Sequence, residues 1–572
     1  MKKEWIIKKD ELNHATVEKL SEEINIDKIL AQLLVERNIL NSDSANSFFD
    51  PSLDKLHDPF LMKDMDKAIE RISRAFNNGE KIMIYGDYDV DGTTSVAMVY
   101  AFLRKYYANM EYYIPNRYKE GYGISSEGVE YAADAGCHLI ISLDCGIKAE
   151  KKVALAKKMG IEFIICDHHT PGETLPDAVA CLDPKQPGCN YPEKNLSGCG
   201  VGFKLLQAFC IRKGEPQEPL FKYLDLVAVS IAADIVPVTG ENRIMAKHGI
   251  ERLNKNPGTG LKSIIDIAKL NDRQILISDI IFKIGPRINA AGRIESGRDA
   301  VELLISRDPS IAKEMSIAID QFNKTRKELD KKTTQEALKM IEEKKELQQK
   351  KSTVLYKNDW HKGVIAIVAA RLTDSYYRPT VILTKSNGLI TGSARSVEGF
   401  DVYKAIEACS HLLENFGGHM YAAGLTMKRE NISQFEIEFE EYVRKNIKSE
   451  QLIPQIEIDA ELNLKHINKK FYNTLKKFMP FGPGNKKPVF VTRNVQDFGT
   501  SKLVGKNKNH IKMELIGEDS GSIVQAIGFS MGKYINRIKN GEQFDICYTI
   551  EENYINGISS IQLVIIDTKF PC

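Results

Sequence analysis

Hydrophobic positions along this chain follow two periods. Between Lys81 and about Val238, short apolar runs alternate with longer stretches of helical spacing. The runs KIMIY (81–85), HLIIS (138–142) and EFIIC (162–166) are almost wholly apolar. A half-exposed strand would alternate, so continuous apolarity predicts strands covered on both faces. The stretches Glu127 to Ala135 and Ala149 to Met159 predict intervening helices. Strand–helix alternation of this kind predicts a doubly wound parallel sheet, hence an α/β fold class.

The pattern then changes three times. From Pro309 to Lys351 the chain is rich in Glu, Lys, Gln and Ala, with Phe322, Leu329, Ala337, Met340, Ile341 and Leu347 at helical spacing. One long connecting helix is expected there, polar enough to bridge domains. Residues 352–450 repeat the α/β pattern with two Gly-rich stretches, TGSARS and FGGHMYAAG, read as turns, as is the earlier PRINAAGR (286–293). From 488 to 570 come five short strand-like runs, PVFVT, HIKMELI, SIVQAIGF, FDICYTI and SIQLVII, with one helical insert near Lys533 to Lys539. Five such runs predict a small β-barrel. The expected organisation is an N-terminal helical segment (1–75), a catalytic α/β domain (76–308), the connecting helix (309–351), a smaller α/β domain (352–450) and a barrel of OB type (455–572).

Composition adds limits. At 572 residues the chain exceeds one core. Its hydrophobic content of 43% is that of an ordinary globular protein. Net charge is +2, but residues from Glu461 onward carry 16 Lys+Arg against 10 Asp+Glu, a net +6 that leaves −4 elsewhere. A basic C-terminal part suggests a polyanionic partner there. The apolar window Leu226 to Val238 contains Asp234 and is too short to span a bilayer. Ten scattered cysteines without a C-x-x-C, and no signal peptide, suggest reduced thiols and a cytoplasmic location.

The candidate chemistry begins at YGDYDVDGTTS (85–95), where Asp87, Asp89 and Asp91 alternate before Gly92. D-x-D-x-D-G opens a calcium-binding EF-hand loop, which needs a glutamate at its twelfth position. That position is Met98, and the stretch follows a strand rather than a helix. The other strands end similarly: HLIIS runs into LDCG, with Asp144, and EFIIC into Asp167, His168 and His169. The C-terminal ends of neighbouring parallel strands converge on one crevice. A further carboxylate, Asp234, interrupts an apolar run, where it is expensive unless paired or metal-bound. Asp89, Asp91, Asp144, His168 and Asp234 are therefore expected in one site. Carboxylates with imidazole and no thiolate suit Mg²⁺ or Mn²⁺, in numbers sufficient for two ions.

DYDVDGTTS, the LDCG turn, DHH and AADIVP resemble, in order, the motifs of the DHH phosphoesterase superfamily. WHKGVIAIVAARL, TGSARS and FGGHMYAAG resemble its DHHA1 partner domain, and PRINAAGR (286–293) with the barrel is similar to its branch of single-strand-specific exonucleases. The resemblance spans nearly the whole chain from about residue 50. It implies two divalent ions, Mn²⁺ or Mg²⁺, held by Asp89, Asp91, Asp144, His168 and Asp234, with Asp144 bridging. It implies His169 facing the scissile phosphate, Asp167 orienting a histidine and Asp87 in support, where relatives carry another residue type. Arg117, Arg287, Asn289, Arg293, Ser393, Arg395 and His419 would hold DNA and its 5′-terminal phosphate, since arginine forks match phosphate oxygens. In the barrel, Lys502, Lys506, Lys508 and Lys512, with His510 and Phe498, are candidates for backbone contact and base stacking. The implied function is 5′→3′ hydrolysis of single-stranded DNA to 5′-mononucleotides in recombination and repair. The implied enzyme is a cytoplasmic monomer, with a single-strand-binding protein and a helicase as partners and no membrane. The competing readings are a phosphodiesterase of short oligonucleotides and a non-catalytic strand-binding scaffold.

Overall fold

The computed structural model describes residues 3–8, 14–517, 521–555 and 558–571. The chain forms two compact units. The first comprises Asp58–Asp234 and Gly249–Pro454; the second comprises Lys3–His57, Ile235–His248 and the chain from Gln455 onward. The segment expected over 1–75 is thus divided between units, and it includes a short strand, Glu4–Ile7, that pairs in parallel with Gln455–Ile458.

The core of the first unit is a five-stranded parallel sheet. Its order is Met110–Tyr113, Lys81–Gly86, Cys137–Leu143, Glu162–Cys166, Ala180–Leu182. The apolar runs are buried on both faces as their composition requires. Helices Ser126–Asp134 and Glu150–Lys158 bury Val129, Ala132, Val153 and Ala156 against Met83, Tyr85, Ile140, Phe163 and Ile165. Helices Val90–Leu103, Gly198–Lys213 and Leu224–Ala233 pack together beside the sheet. The chain leaves Lys81–Gly86 toward one edge and returns on its other side as Cys137–Leu143. That reversal opens a crevice at the carboxyl ends of the two strands.

A second sheet in this unit has the order Leu413–His419, Ala422–Met427, Leu389–Arg395, Thr380–Ser386, Thr353–Tyr356. Only the last pair is parallel. Three local expectations change here. TGSARS is not a turn but the central strand Leu389–Arg395, where Gly392 leaves room for Leu383 and Leu425. PRINAAGR is not a turn either: it forms helix Gly285–Ile294, with its proline in the first turn, where a missing N–H costs nothing. The connecting helix ends at Glu343, because Lys344 is extended and the chain turns to bury Leu347 beside Ala337, Ile341 and Trp360. Its mid-section buries Asp320, Asn323, Asp330 and Thr333, so it is packed along one stripe rather than solvated all round.

The second unit contains a closed barrel. Strands Phe490–Asp497, Phe544–Ile555, Ile558–Lys569, Ile523–Gly528 and His510–Ile516 pair in that order, and the last pairs back to the first through Gln496↔Ile516. Closure removes the unpaired edges an open sheet would expose. Phe490, Ile546, Tyr548, Met513, Ala526 and Leu563 fill the interior, with the N-terminal helices packed against the same core. Phe498 lies outside it, 53% exposed. Lys502 stands opposite Lys512 in register, and His510 meets the exposed Phe529 edge-on at 5.2 Å. No helix among the described residues is long and apolar enough to cross a membrane.

Candidate metal centre

Three neighbouring strands of the central sheet run into acidic residues beside the switch point. Asp87 follows Lys81–Gly86 directly. Asp89 caps helix Val90–Leu103, accepting the Gly92 N–H at 3.1 Å, and Asp91 lies in the first turn. Asp144 follows Cys137–Leu143 in the left-handed region, φ 59°, which aspartate tolerates better than most residues. Asp167, His168 and His169 follow Glu162–Cys166. Asp234 closes helix Leu224–Ala233 as its C-cap.

These groups meet around one imidazole nitrogen. His168 Nε2 lies 3.2 Å from Asp144 Oδ1, 3.6 Å from Asp234 Oδ2 and 3.7 Å from Asp91 Oδ2. Donor atoms of Asp91, His168 and Asp234 fall within 4.8 Å of one another, as do those of Asp144, His168 and His169. His169 has both nitrogens engaged, however: Nδ1 with Asp167 Oδ1 at 2.7 Å and Nε2 with the Tyr122 hydroxyl at 3.0 Å. Asp87 and Asp89 stand beside the cluster and act on it by charge.

The electrostatics are those of an assembly built around cations. Burial, and then repulsion from Asp91, Asp89 and Asp234, pushes the Asp144 carboxyl far above its usual range. Burial and repulsion from Asp91 and Asp89 raise Asp234 to about 8. Burial and neighbouring carboxylates also raise Asp87 and Asp89. Burial lowers the His168 imidazole, keeping it neutral and able to donate a lone pair. Asp87 Oδ2 and His168 Nε2 are buried without a hydrogen-bond partner. Unpartnered carboxylate and imidazole atoms, with no thiolate, fit a hard divalent cation.

Asp167 behaves differently. Burial alone would raise it, but bonds from the His169 ring and the Ile147 N–H hold it down to about 2. Its Oδ1 also accepts the backbone N–H of His168 at 2.7 Å. Burial would lower His169, yet the Asp167 carboxylate outweighs it and lifts the ring to about 9. Asp167 is thus the anchor of the DHH turn, and His169 the proton-bearing group beside it.

On the substrate side, Arg117 lies over the Tyr88 ring at 4.8 Å. Arg293 donates to the Gly363 carbonyl at 2.9 Å, tying the PRINAAGR helix to the second sheet's domain. Burial, with Arg117 and Arg326 nearby, lowers its guanidinium to about 10; Arg395 is another charge in range. Ser393 and Arg395 lie two apart on one strand, so they share a face, and Arg395 Nη1 donates to Ser393 Oγ at 3.2 Å. Arg287 is instead paired with Asp320 at 2.9 Å, and its Nη1 donates to the Lys283 carbonyl. Asn289 faces the same helix's partly buried side, and His419 ends an exposed strand.

Several residues at the centre carry no motif. Asp91 is held by the N–H groups of Gly198 and Cys199, at 2.7 and 2.8 Å, and by the Ser230 hydroxyl at 2.7 Å. The two N–H groups open helix Gly198–Lys213, a natural site for negative charge. Ser230 was detectable, being one helical turn before Asp234. Lys185, whose ammonium donates to the His168 carbonyl at 2.5 Å, and Tyr122 gave no signal.

Fold and cluster together define a phosphoesterase of the DHH class. Residues 81–231 match the DHH family N-terminal domain, 349–445 the DHHA1 domain and 458–567 the RecJ OB domain. The single-stranded-DNA-specific exonuclease RecJ of Bacillus subtilis is 38% identical over 553 residues, covering 96% of this chain and 69% of the relative. That of Haemophilus influenzae is 34% identical over 556 residues, covering 94% and 95%. The chain belongs to the RecJ family. Its fold matches the crystal structure of RecJ in complex with Mn²⁺ from Thermus thermophilus with a TM-score of 0.85, at 24% identity, over 99% of this chain and 80% of that one. A structure of exonuclease RecJ bound to manganese matches with a TM-score of 0.59 at 29% identity, over 68% of this chain and 98% of that one.

Proposed function

We propose that this chain is a metal-dependent exonuclease that hydrolyses single-stranded DNA from the 5′ end to 5′-mononucleotides. The observation that carries this reading is the convergence of Asp91, Asp144 and Asp234 on His168 at a sheet switch point. Asp89, Asp91, Asp144, His168 and Asp234 would hold Mn²⁺ or Mg²⁺, which supply Lewis acidity: activation of water and neutralisation of phosphoryl charge. The chain's own groups do the rest. Asp167 keeps His169 protonated and aimed, so the imidazolium can stabilise charge on the scissile phosphate or give a proton to the departing oxygen. Arg293, Arg395 and Arg117, with the Ser393 hydroxyl beside them, would bind a 5′-terminal phosphate, charge-assisted bonds fixing where the strand begins.

The barrel supports a long strand as substrate, because a phosphodiesterase of short oligonucleotides needs no such unit. The full set of metal-binding groups supports catalysis over a scaffold role. Work in the cytoplasm as a monomer, with a helicase and a single-strand-binding protein supplying the strand, completes the proposal. The test uses single- and double-stranded DNA labelled at either end, with Mn²⁺ or EDTA. Release of 5′-label as mononucleotide from single strands alone, abolished by EDTA and by Asp144→Ala while the strand still binds, is expected. Loss of 3′-label first, or activity in Asp144→Ala, overturns it.

A further inference from the structure

Helix Gly285–Ile294, which carries Arg287, Asn289 and Arg293, is entered through a π-helical turn, Ile280–Ile284. There the Gly285 N–H reaches back to the Ile280 carbonyl. Such turns are rare, and they recur at functional sites because they redirect one side chain at a cost in regularity. This one buries Ile280 and Ile284 and leaves Phe282 between them 72% exposed. No other large hydrophobic side chain among the described residues is as exposed. The turn is firmly held: Asp279, itself buried, accepts the Leu276 N–H at 3.0 Å and pairs with Arg273 and, at 3.4 Å, with Lys283. The ring is therefore displayed by a fixed element, and the fold gains nothing from leaving it in water.

Its position is defined by the glycine that follows. A Cβ on Gly285 would lie 3.6 Å from Ala233 and 4.0 Å from Val90. Those two residues are the chain neighbours of Asp234 and Asp89. Phe282 precedes Gly285 by three residues, less than one turn and no more than about 4.5 Å of rise. The turn that displays the ring therefore packs against helix Leu224–Ala233, which Asp234 closes, and Lys283 follows the ring in sequence. An aromatic face beside cations is how single strands are gripped without reading their sequence, since every base has a π-face.

We propose that Phe282 is a stacking platform for an unpaired base of the strand entering the metal crevice. This rests on the nuclease reading above and adds a means of strand selection: a paired base has no free face to offer. The test is a binding cycle on the full chain carrying Asp144→Ala, using a 5′-phosphorylated oligonucleotide in which one abasic site is walked inward from the 5′ end. Phe282→Ala should weaken binding of the intact strand about 5- to 100-fold, the usual worth of one stacked base. Phe282→Trp should retain it, and Phe282→Leu, which keeps apolar area but no π-face, should not. At one position the abasic penalty seen with Phe282 should vanish in Phe282→Ala, while the melting temperature stays unchanged because the ring is exposed. Equal affinity of Phe282→Ala and its parent, or unchanged abasic penalties at every position, overturns the inference. A wild-type chain that releases no nucleotide from single strands overturns the nuclease reading; an active wild type matched by Phe282→Ala overturns only the role of Phe282.

Discussion

Replacing Gly198 by alanine tests the site's geometry with a residue that has no functional group. Its N–H holds Asp91 Oδ2 at 2.7 Å, so helix Gly198–Lys213 cannot retreat without releasing that carboxylate. A Cβ there would sit 2.6 Å from Asp144 Cβ, 2.9 Å from its Cα and 3.0 Å from its Oδ1. Carbon atoms pack at about 3.5–4.0 Å, so Asp144 or the helix must move by roughly 1 Å. Overpacking of this kind costs about 1–3 kcal/mol. The larger effect falls on activity, because a displacement of ~1 Å in a positioned group costs on the order of 10²-fold in rate. Gly200 supplies the control on the same helix: its Cβ would meet Leu196 and Ser197 at 3.4 Å, ordinary contact. Gly200→Ala should leave activity intact and stabilise the helix by up to ~1 kcal/mol. The assay pairs Mn²⁺-dependent nucleotide release from labelled single strands with Mn²⁺-binding isotherms and thermal unfolding. Gly198→Ala within a fewfold of wild-type rate, or Gly200→Ala equally impaired, would falsify the placement of Asp144.

Three further outcomes are expected. Ser230→Ala removes one of the close donors to Asp91 and should weaken Mn²⁺ binding by about 10- to 100-fold, the usual worth of a group that orients a ligand; calorimetric titration showing equal affinity counts against it. Saturating Mn²⁺ should raise thermal stability, by about 2.7 kcal/mol at a hundredfold excess over Kd, because the raised carboxylates of Asp144 and Asp234 lose their mutual repulsion; a melting temperature indifferent to EDTA contradicts the cluster as a metal centre. Arg395→Ala should collapse the rate ratio between 5′-phosphorylated and 5′-hydroxyl strands by about 10- to 100-fold, from a charge-assisted bond of roughly 1.5–3 kcal/mol. A preserved ratio would place the terminal phosphate elsewhere.

Much of the architecture was legible from local pattern. KIMIY, HLIIS and EFIIC read as buried strands because continuous apolarity admits little else, and the aspartates just past them read as one site because parallel strands end together. The EF-hand alternative fell to Met98 and to the strand that precedes the aspartates. Glycine-rich stretches misled. Gly292 and Gly392 allow close approach, to the Tyr88 carbonyl at 2.7 Å and to Leu383 at 2.5 Å for any added Cβ, within a helix and a strand rather than in turns. A glycine spaces chains as often as it bends them, and composition does not distinguish the two.

Partnerships across the chain lay beyond local pattern. Arg287 pairs with Asp320, 33 residues away, and Asp91 is held by N–H groups more than 100 residues distant. Backbone preference and the period of burial are written residue by residue, and they specify strands, helices and the acids at their ends. Which donor faces which acceptor depends on strand order and helix docking, set by packing over the whole unit. The residue types of the cluster were therefore readable from sequence, while the anchoring of Asp91, the engagement of His169 and the exposure of Phe282 were decided only by the folded chain.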